Sequence, residues 1–226
     1  MSNSKSPRIP LEFNRLSEEE MMERADGVLH RMQGRRSVRH FDSTPVPLEA
    51  LRRCILAAGT APSGAHKQPW TFCLVTNADV KRSIREAAEK EEYANYHGRM
   101  STSWLEDLQV FDTDYHKAHL EDAPALIVVF RHVWDSADGA PGDRRKNYYV
   151  QESVGIACGM LINALHESGL VSLTHTPSPM EFLTEILQRP PNERAFLVIP
   201  VGFPAKTCTV PDIRRKKLEE IMVEFH

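Results

Sequence analysis

The sequence predicts an α+β fold, with helices around a central sheet of about four or five strands. Three observations carry this. The runs "APALIVVFRH" and "AFLVIPVGFP" are continuously apolar, as in strands covered on both faces. "SVGIACGMLINAL" is apolar almost all round, which places a helix at the centre of a core or in an interface. Segments between them repeat apolar residues at helical spacing.

Taken in order, residues 1 to about 16 read as an extended arm containing Pro7 and Pro10. Ser17 opens "SEEE", a capping box that closes on Glu20. The helix it starts carries Met21, Met22, Ala25, Val28, Leu29 and Met32 on one face and stops at Gly34. "RRSVRHF" is extended. Pro47 begins a second helix, with Leu48, Leu51, Ile55 and Ala58 inward and Gly59 as its stop. "WTFCLVT" is a strand, and Asn77 or Asp79 caps a helix through "VKRSIREAAEKEEYANY". "WDSADGAPGDRRKN" reads as a loop, with no role for residues 135–146. The long apolar helix runs from about Tyr148 to Ser168, and its Gly155 and Gly159 let another backbone come close. "LVSLTHTP" is a short strand entering a loop, and "EFLTEILQ" is a helix. The tail "RRKKLEEIMVEFH" has an apolar stripe that needs a partner surface. No repeat or low-complexity tract divides the chain, so residues 1–226 are expected to form one domain.

Composition excludes some functions. With 28 basic and 31 acidic residues the net charge is −3, so the basic excess of a nucleic-acid binder is missing. Cys54, Cys73, Cys158 and Cys208 lack metal-ligand spacing and read as free thiols in a reducing compartment. The opening "MSNSKSPRIPLEF" has no apolar signal core, and "ALIVVF" is far short of the roughly 20 residues that span a bilayer. The expectation is a soluble cytoplasmic protein with no membrane partner. His116 and His119 in "HKAH" lack an evident third ligand, so no metal site is expected. GxGxxG, Walker A, HExxH and GxSxG motifs are all missing.

Four candidate sites remain, each with an ordinary explanation beside it. Arg35, Ser37 and Arg39 share one face of an extended segment and suit a phosphate, or are solvated surface charges. The small residues of "PSGAH" let a backbone approach a flat ligand, or form a plain turn. Thr174 and Thr176 stand where a strand hands over to a loop, or merely cap it. Arg214 and Arg215 reach back to the same anion, or face water.

In combination and order, "RRSVRHF", "AAGTAPSGAHKQPWTF", "THTP" and "VGFP…VPDIRRKKL" resemble the nitroreductase superfamily, from about residue 34 to 223. "EEYANYHGRM", "DAPALIVVF", "SVGIACGMLINAL" and "GLVSLTHTP" bring it nearest the branch that dehalogenates halotyrosines. The resemblance implies a nitroreductase-like FMN fold with a central mixed sheet, and an intertwined homodimer with flavin at the interface. It implies that Arg35, Arg36, Ser37 and Arg39 bind the FMN phosphate and ring edge, closed by Arg215 or Arg214. Pro62, Ser63 and Gly64 would line the flavin, and the Ala65 backbone would face the substrate phenolate. Thr174, His175 and Thr176 would span the reactive edge, with the Thr176 hydroxyl near N5. Glu92, Tyr96 and Lys117 would clasp the amino-acid zwitterion, and residues 90–120 would form a lid ordered by it. The implied reaction is reductive dehalogenation of iodotyrosine or bromotyrosine by one-electron flavin chemistry, with a reductase or NAD(P)H as electron donor. Two alternatives stand beside it: an NAD(P)H-dependent nitroaromatic or quinone reductase, and a flavin- or halotyrosine-binding sensor without turnover.

Overall fold

The computed structural model describes residues 8–136 and 144–226 and divides after Arg35 into two units. In the first unit, residues 8–17 carry no helix or strand, and α1 spans Glu18–Gly34. The first seven residues of the expected arm lie outside the described residues. The capping box forms as expected. The Glu20 amide donates to the Ser17 hydroxyl at 3.2 Å, and the Ser17 amide donates to the Glu20 carboxylate at 2.9 Å. Two backbone donors at the helix start are thereby satisfied. The apolar face of α1 differs from a core face: no residue is buried, and Met21, Met22, Val28 and Leu29 are exposed.

The second unit is built on a sheet. Its strands are β1 (Phe41–Asp42), β2 (Trp70–Val75), β3 (Ala125–His132), β4 (Trp134–Ser136), β5 (Arg144–Lys146), β6 (Val171–Ser172) and β7 (Glu193–Pro204). Five of them form one sheet in the order β1-β7-β3-β2, with β6 also on β7. These pairs are antiparallel, and a parallel bridge between Ser37 and Ser172 makes the sheet mixed. A bulge between Val129 and Phe130 shifts the β3–β7 register. The stretch read as a loop at "WDSADGAPGDRRKN" is corrected in part: β4 and β5 pair as a hairpin, and residues 137–143 lie outside the described residues. Turn residues dominate that stretch, so its short strands carry no apolar pattern. The Arg144 guanidinium over the Trp134 ring, 4.6 Å away, ties them across the pair.

Both faces of the sheet are covered, which is why β3 and β7 read as unbroken apolar runs. Ala125, Ile127 and Val129 join one core with α2 (Leu48–Gly59) and α6 (Val150–Glu167). Leu126, Val128 and Phe130 join another with α3 (Ala78–Ala94), α5 (His119–Asp122) and α7 (Glu181–Ile186). The remaining helix is α4 (Thr102–Leu108). Asn77 is the cap of α3, accepting from the Asp79 and Val80 amides. In α2, Leu51, Cys54 and Ala58 are buried, whereas Leu48 is exposed. In α6 the buried set Val154, Ala157, Cys158, Leu161 and Leu165 follows helical spacing along one side. Ile156 and the two glycines on the other side are exposed, and a Cβ on either glycine would meet nothing within 4 Å. That face is open to a second backbone, as the small residues led us to expect. The tail beyond Lys217 likewise leaves Ile221, Val223 and Phe225 exposed.

Leu161 is fully buried between α2 and the sheet. Leu161→Ala is expected to lower stability by about 2–5 kcal/mol through lost burial and the cavity left behind. A shift of the urea midpoint checks this.

Candidate functional site

Three groups of side chains gather where the sequence expects chemistry. The first is a clasp. Glu92 near the end of α3 and Lys117 just before α5 are both buried, with Nζ 3.8 Å from Oε2. The spacing from Glu92 to Tyr96 puts both on one side of the helix end, where α3 passes into a π-helical turn, Asn95–Arg99. The Lys117 ammonium lies 5.2 Å from the centre of the Tyr96 ring. Lys117 also donates to the Asp114 carbonyl, and the Tyr96 hydroxyl donates to the Thr113 carbonyl at 3.2 Å. The Lys117 amide is tied to Glu89 at 2.8 Å, which fixes its segment against α3. Burial pulls the Lys117 pKa down against the pull of Glu92, and burial pushes the Tyr96 phenol up.

His175 belongs to this cluster through its side chain. The expectation had placed His175 at the cofactor's edge. Its Nε2 lies 3.2 Å from Glu92 Oε1, and its Nδ1 lies 3.4 Å from His119 Nε2. The His175 backbone exchanges two hydrogen bonds of 2.9 Å with Val198 on β7. In this extended stretch side chains alternate sides. With His175 turned inward, Thr174 and Thr176 are exposed.

The second group is an anion-suited wall. Ser37, Arg39, His40, Phe111, Thr209 and Pro211 help line a cavity of about 260 Å³. The Arg36 guanidinium donates to the Pro211 carbonyl in the same wall. Arg39 lies 5.6 Å from the Phe111 ring centre, and burial lowers its pKa. The Val38 amide donates to the Ser172 carbonyl at 3.1 Å, so this segment runs beside the strand that leads into Thr174. Arg35 closes the other unit, as the cap residue of α1. Arg214 pairs with Glu220 at 3.3 Å, and neither it nor Arg215 lines the cavity.

The third group is the "PSGAH" turn. Gly64 is required by contact: a Cβ there would come within 2.8 Å of the Tyr148 carbonyl oxygen. Its amide donates to the Ser153 hydroxyl of α6 at 3.3 Å, and the Ser63 hydroxyl accepts from the Gln68 amide at 2.9 Å. Ala65, His66 and Gln68 have φ of 51°, 55° and 47°, left-handed values that side chains disfavour. Such strain is retained where surrounding structure fixes it, commonly beside a ligand. Pro62 and Ala65 are exposed on this turn.

Sequence reasoning missed His119 and Ser153. In sequence His119 stands out only as a metal-ligand candidate beside His116, and Ser153 is hidden within an apolar helix. The Thr113 carbonyl, which holds Tyr96, and the Asp114 carbonyl, which holds Lys117, are backbone groups and carry no sequence signal.

A phosphate-suited wall, a strained turn and a mixed sheet with helices on both faces define a class. The chain belongs to the nitroreductase family, whose model matches residues 32–203. Relatives similar to it include iodotyrosine deiodinases. It is 55% identical over 217 residues to the iodotyrosine deiodinase of Haliscomenobacter hydrossis, covering 96% of this chain and 97% of that one. It is 44% identical over 218 residues to human iodotyrosine deiodinase 1, covering 95% and 74%. A crystal structure of oxidized iodotyrosine deiodinase bound to FMN and 3-iodo-L-tyrosine overlays with a TM-score of 0.73, at 29% identity, over 88% of this chain and 98% of that one. A BluB-like flavoprotein from Clostridium difficile shares the fold, with a TM-score of 0.67 at 20% identity over 88% and 99%.

The histidine pair makes stability depend on pH. Burial, with His175 alongside, holds the His119 pKa down to about 3 from its ordinary 6.5, and burial also lowers that of His175. Between those values the unfolded chain binds protons that the folded chain excludes, so this stability is complete above about pH 6.5 and is lost as pH falls toward about 3. Urea midpoints measured between pH 7 and 5 are expected to fall, and His119→Gln is expected to flatten that fall.

Proposed function

We propose that this chain is an FMN-dependent oxidoreductase that removes halogen from halotyrosines, iodotyrosine and bromotyrosine among them. The observation that carries the reading is the buried Glu92–Lys117 pair with the half-buried Tyr96 ring beside it. A carboxylate, an ammonium and a phenol ring together match the three features of a tyrosine zwitterion. Substrate entry would exchange one ion pair for two: Glu92 takes the ammonium and Lys117 the carboxylate.

The residues also fit the cofactor. Arg36, Ser37 and Arg39 would hold the FMN phosphate and ring edge, with Arg35 and Arg215 as further phosphate ligands. Pro62, Ser63 and Gly64 would lie along the ring, the Thr174 and Thr176 hydroxyls would face its reactive edge, and Thr176 would donate to N5. Bound and reduced, FMN supplies the two electrons that let one proton replace the halogen, which leaves as halide. The Ala65 amide would hold the phenolate oxygen and stabilise its charge. A reductase or NAD(P)H is the proposed electron source.

The placement of these groups supports a homodimer. Gly64 packs on the start of α6, whose core lies on one face of the sheet. Glu92, one turn beyond the buried Ala88 on α3, belongs with elements of the other face. Two copies related by a two-fold axis would bring one group from each to a shared flavin. The open glycine face of α6 would supply surface for that contact. Residues 1–226 would act as one functional domain. The free thiols Cys54, Cys73, Cys158 and Cys208 support a reducing, cytoplasmic location. Among the described residues no helix is long and apolar enough to cross a membrane.

The lid reading is supported by its packing. From Ser101 to Phe111 no apolar side chain is buried, and Trp104 and Val110 are exposed. Substrate bridging Glu92 and Lys117 would hold residues 90–120 closed and exclude water.

Two measurements test this. Under anaerobic reduction the protein is expected to release iodide from 3-iodo-L-tyrosine. Glu92→Gln and Lys117→Met should each lower kcat/KM by about 100-fold, while 2-iodophenol, which lacks both charges, is spared. Nitroaromatic turnover without iodide release would favour the reductase reading instead. Limited proteolysis within residues 90–120 should slow when 3-iodo-L-tyrosine is added to the flavin-loaded protein. Equal cutting with and without it would discard the lid.

A further inference from the structure

The Glu92 carboxylate has a second neighbour besides Lys117. His175 Nε2 reaches Oε1 at 3.2 Å, leaving Oε2 toward Lys117. A carboxylate only accepts hydrogen bonds, so the His175 ring must donate from Nε2. A neutral His175 then presents its Nδ1 as an acceptor, and the group facing it is His119 Nε2 at 3.4 Å. His119 therefore donates. The chain of bonds has one direction, from His119 through His175 to Glu92.

Both histidines of this chain are anchored. His175 is clamped to Val198 in the middle of β7 by both its backbone groups. His119 opens α5, two residues after Lys117, on the segment that Glu89 ties to α3. One short segment thus reaches Glu92 from two sides, by charge at Lys117 and through the His175 ring from His119. We infer that His119 and His175 are positioning residues for the substrate ammonium, holding one Glu92 oxygen so that the other is presented when Lys117 turns to the substrate carboxylate. This rests on the halotyrosine reading above.

The physical need is specific. Once a zwitterion separates Glu92 from Lys117, the buried carboxylate loses its original partner. A fixed N–H on Oε1 keeps it solvated in place, with Oε2 aimed at the ammonium. Both rings are held neutral by burial, so the bond adds direction without adding a competing positive charge.

The test uses the flavin-loaded protein and two substrates. One is 3-iodo-L-tyrosine; the other is 3-(3-iodo-4-hydroxyphenyl)propanoate, which keeps ring and carboxylate but lacks the ammonium. His175→Leu and His119→Leu are expected to raise KM for iodotyrosine by about 10- to 100-fold with kcat little changed. KM for the propanoate should hold within about twofold, since it makes no ammonium contact. His175→Gln, whose amide N–H can replace Nε2, is expected to recover most of the lost affinity, and its melting temperature guards against misfolding. Equal losses on both substrates, or no rise in KM for iodotyrosine, would overturn the positioning role while leaving the activity standing. A failure of the unmodified protein to dehalogenate either substrate would overturn the activity and this inference together.

Discussion

The arrangement of the site turns on one constraint: opposite charges, Glu92 and Lys117, are held out of water within 3.8 Å of each other. Desolvating two such groups is costly, and their attraction offsets that cost only when further hydrogen bonds satisfy what is left. The surroundings are arranged to do so. Lys117 is completed by the Asp114 carbonyl and the Thr113 hydroxyl, and Glu92 by His175. Removing either charge alone would leave the other buried and unmatched, which typically costs about 3–5 kcal/mol. A ligand that brings both charges can replace each partner without leaving either bare. An uncharged nitroaromatic cannot, and so this cluster favours a zwitterion over the usual substrates of a general reductase.

The sheet decides how the rest is distributed. β3 and β7 sit at its centre and bury side chains on both faces, so helices must pack on both sides. α3, with Glu92, falls on one face, and α6, with the seat for Gly64, falls on the other. A strand that is apolar on both faces leaves no polar passage through the core by which the two groups of residues would meet. The exposed glycines of α6 sit on the side of that helix away from its core. The burial that stabilises one chain thus also separates its functional groups and argues for completion by a second copy.

Much of the fold was legible because its cues are local. The Ser17 capping box, the Asn77 cap, Gly34 and Gly59 act through neighbouring backbone, and all four fall where expected. The apolar runs marked β3 and β7 because continuous burial leaves a continuous signature. The β4–β5 hairpin was illegible because its stability comes from cross-strand contact between Trp134 and Arg144 rather than from pattern. The exposed face of α1 looked like a core face because periodicity reports an apolar stripe, not what covers it. In the site, Glu92 and Tyr96 share a helix face and can be paired from spacing. Lys117 lies 25 positions beyond Glu92 in the sequence, and only the resemblance linked them. The turn of the His175 ring toward Glu92 was invisible, because it depends on which side of a one-residue bridge to Val198 the ring points.

That alternation reconciles two demands on "THTP". A strand-to-loop segment beside a cofactor must present hydroxyls outward, and a buried carboxylate on α3 must find a donor from within. Extended backbone gives neighbouring residues opposite directions. With His175 inward on Glu92, Thr174 and Thr176 face outward together. The bridge to Val198 sets which parity is inward, and a slip of one residue would reverse it, pointing two short hydroxyls at Glu92 and the histidine at the ligand. On the proposed reading, register at this one bridge would fix both the face offered to the flavin and the support offered to the clasp. Substrate recognition and cofactor contact would then be coupled through it, although the residues proposed for them are carried on separate helices and loops.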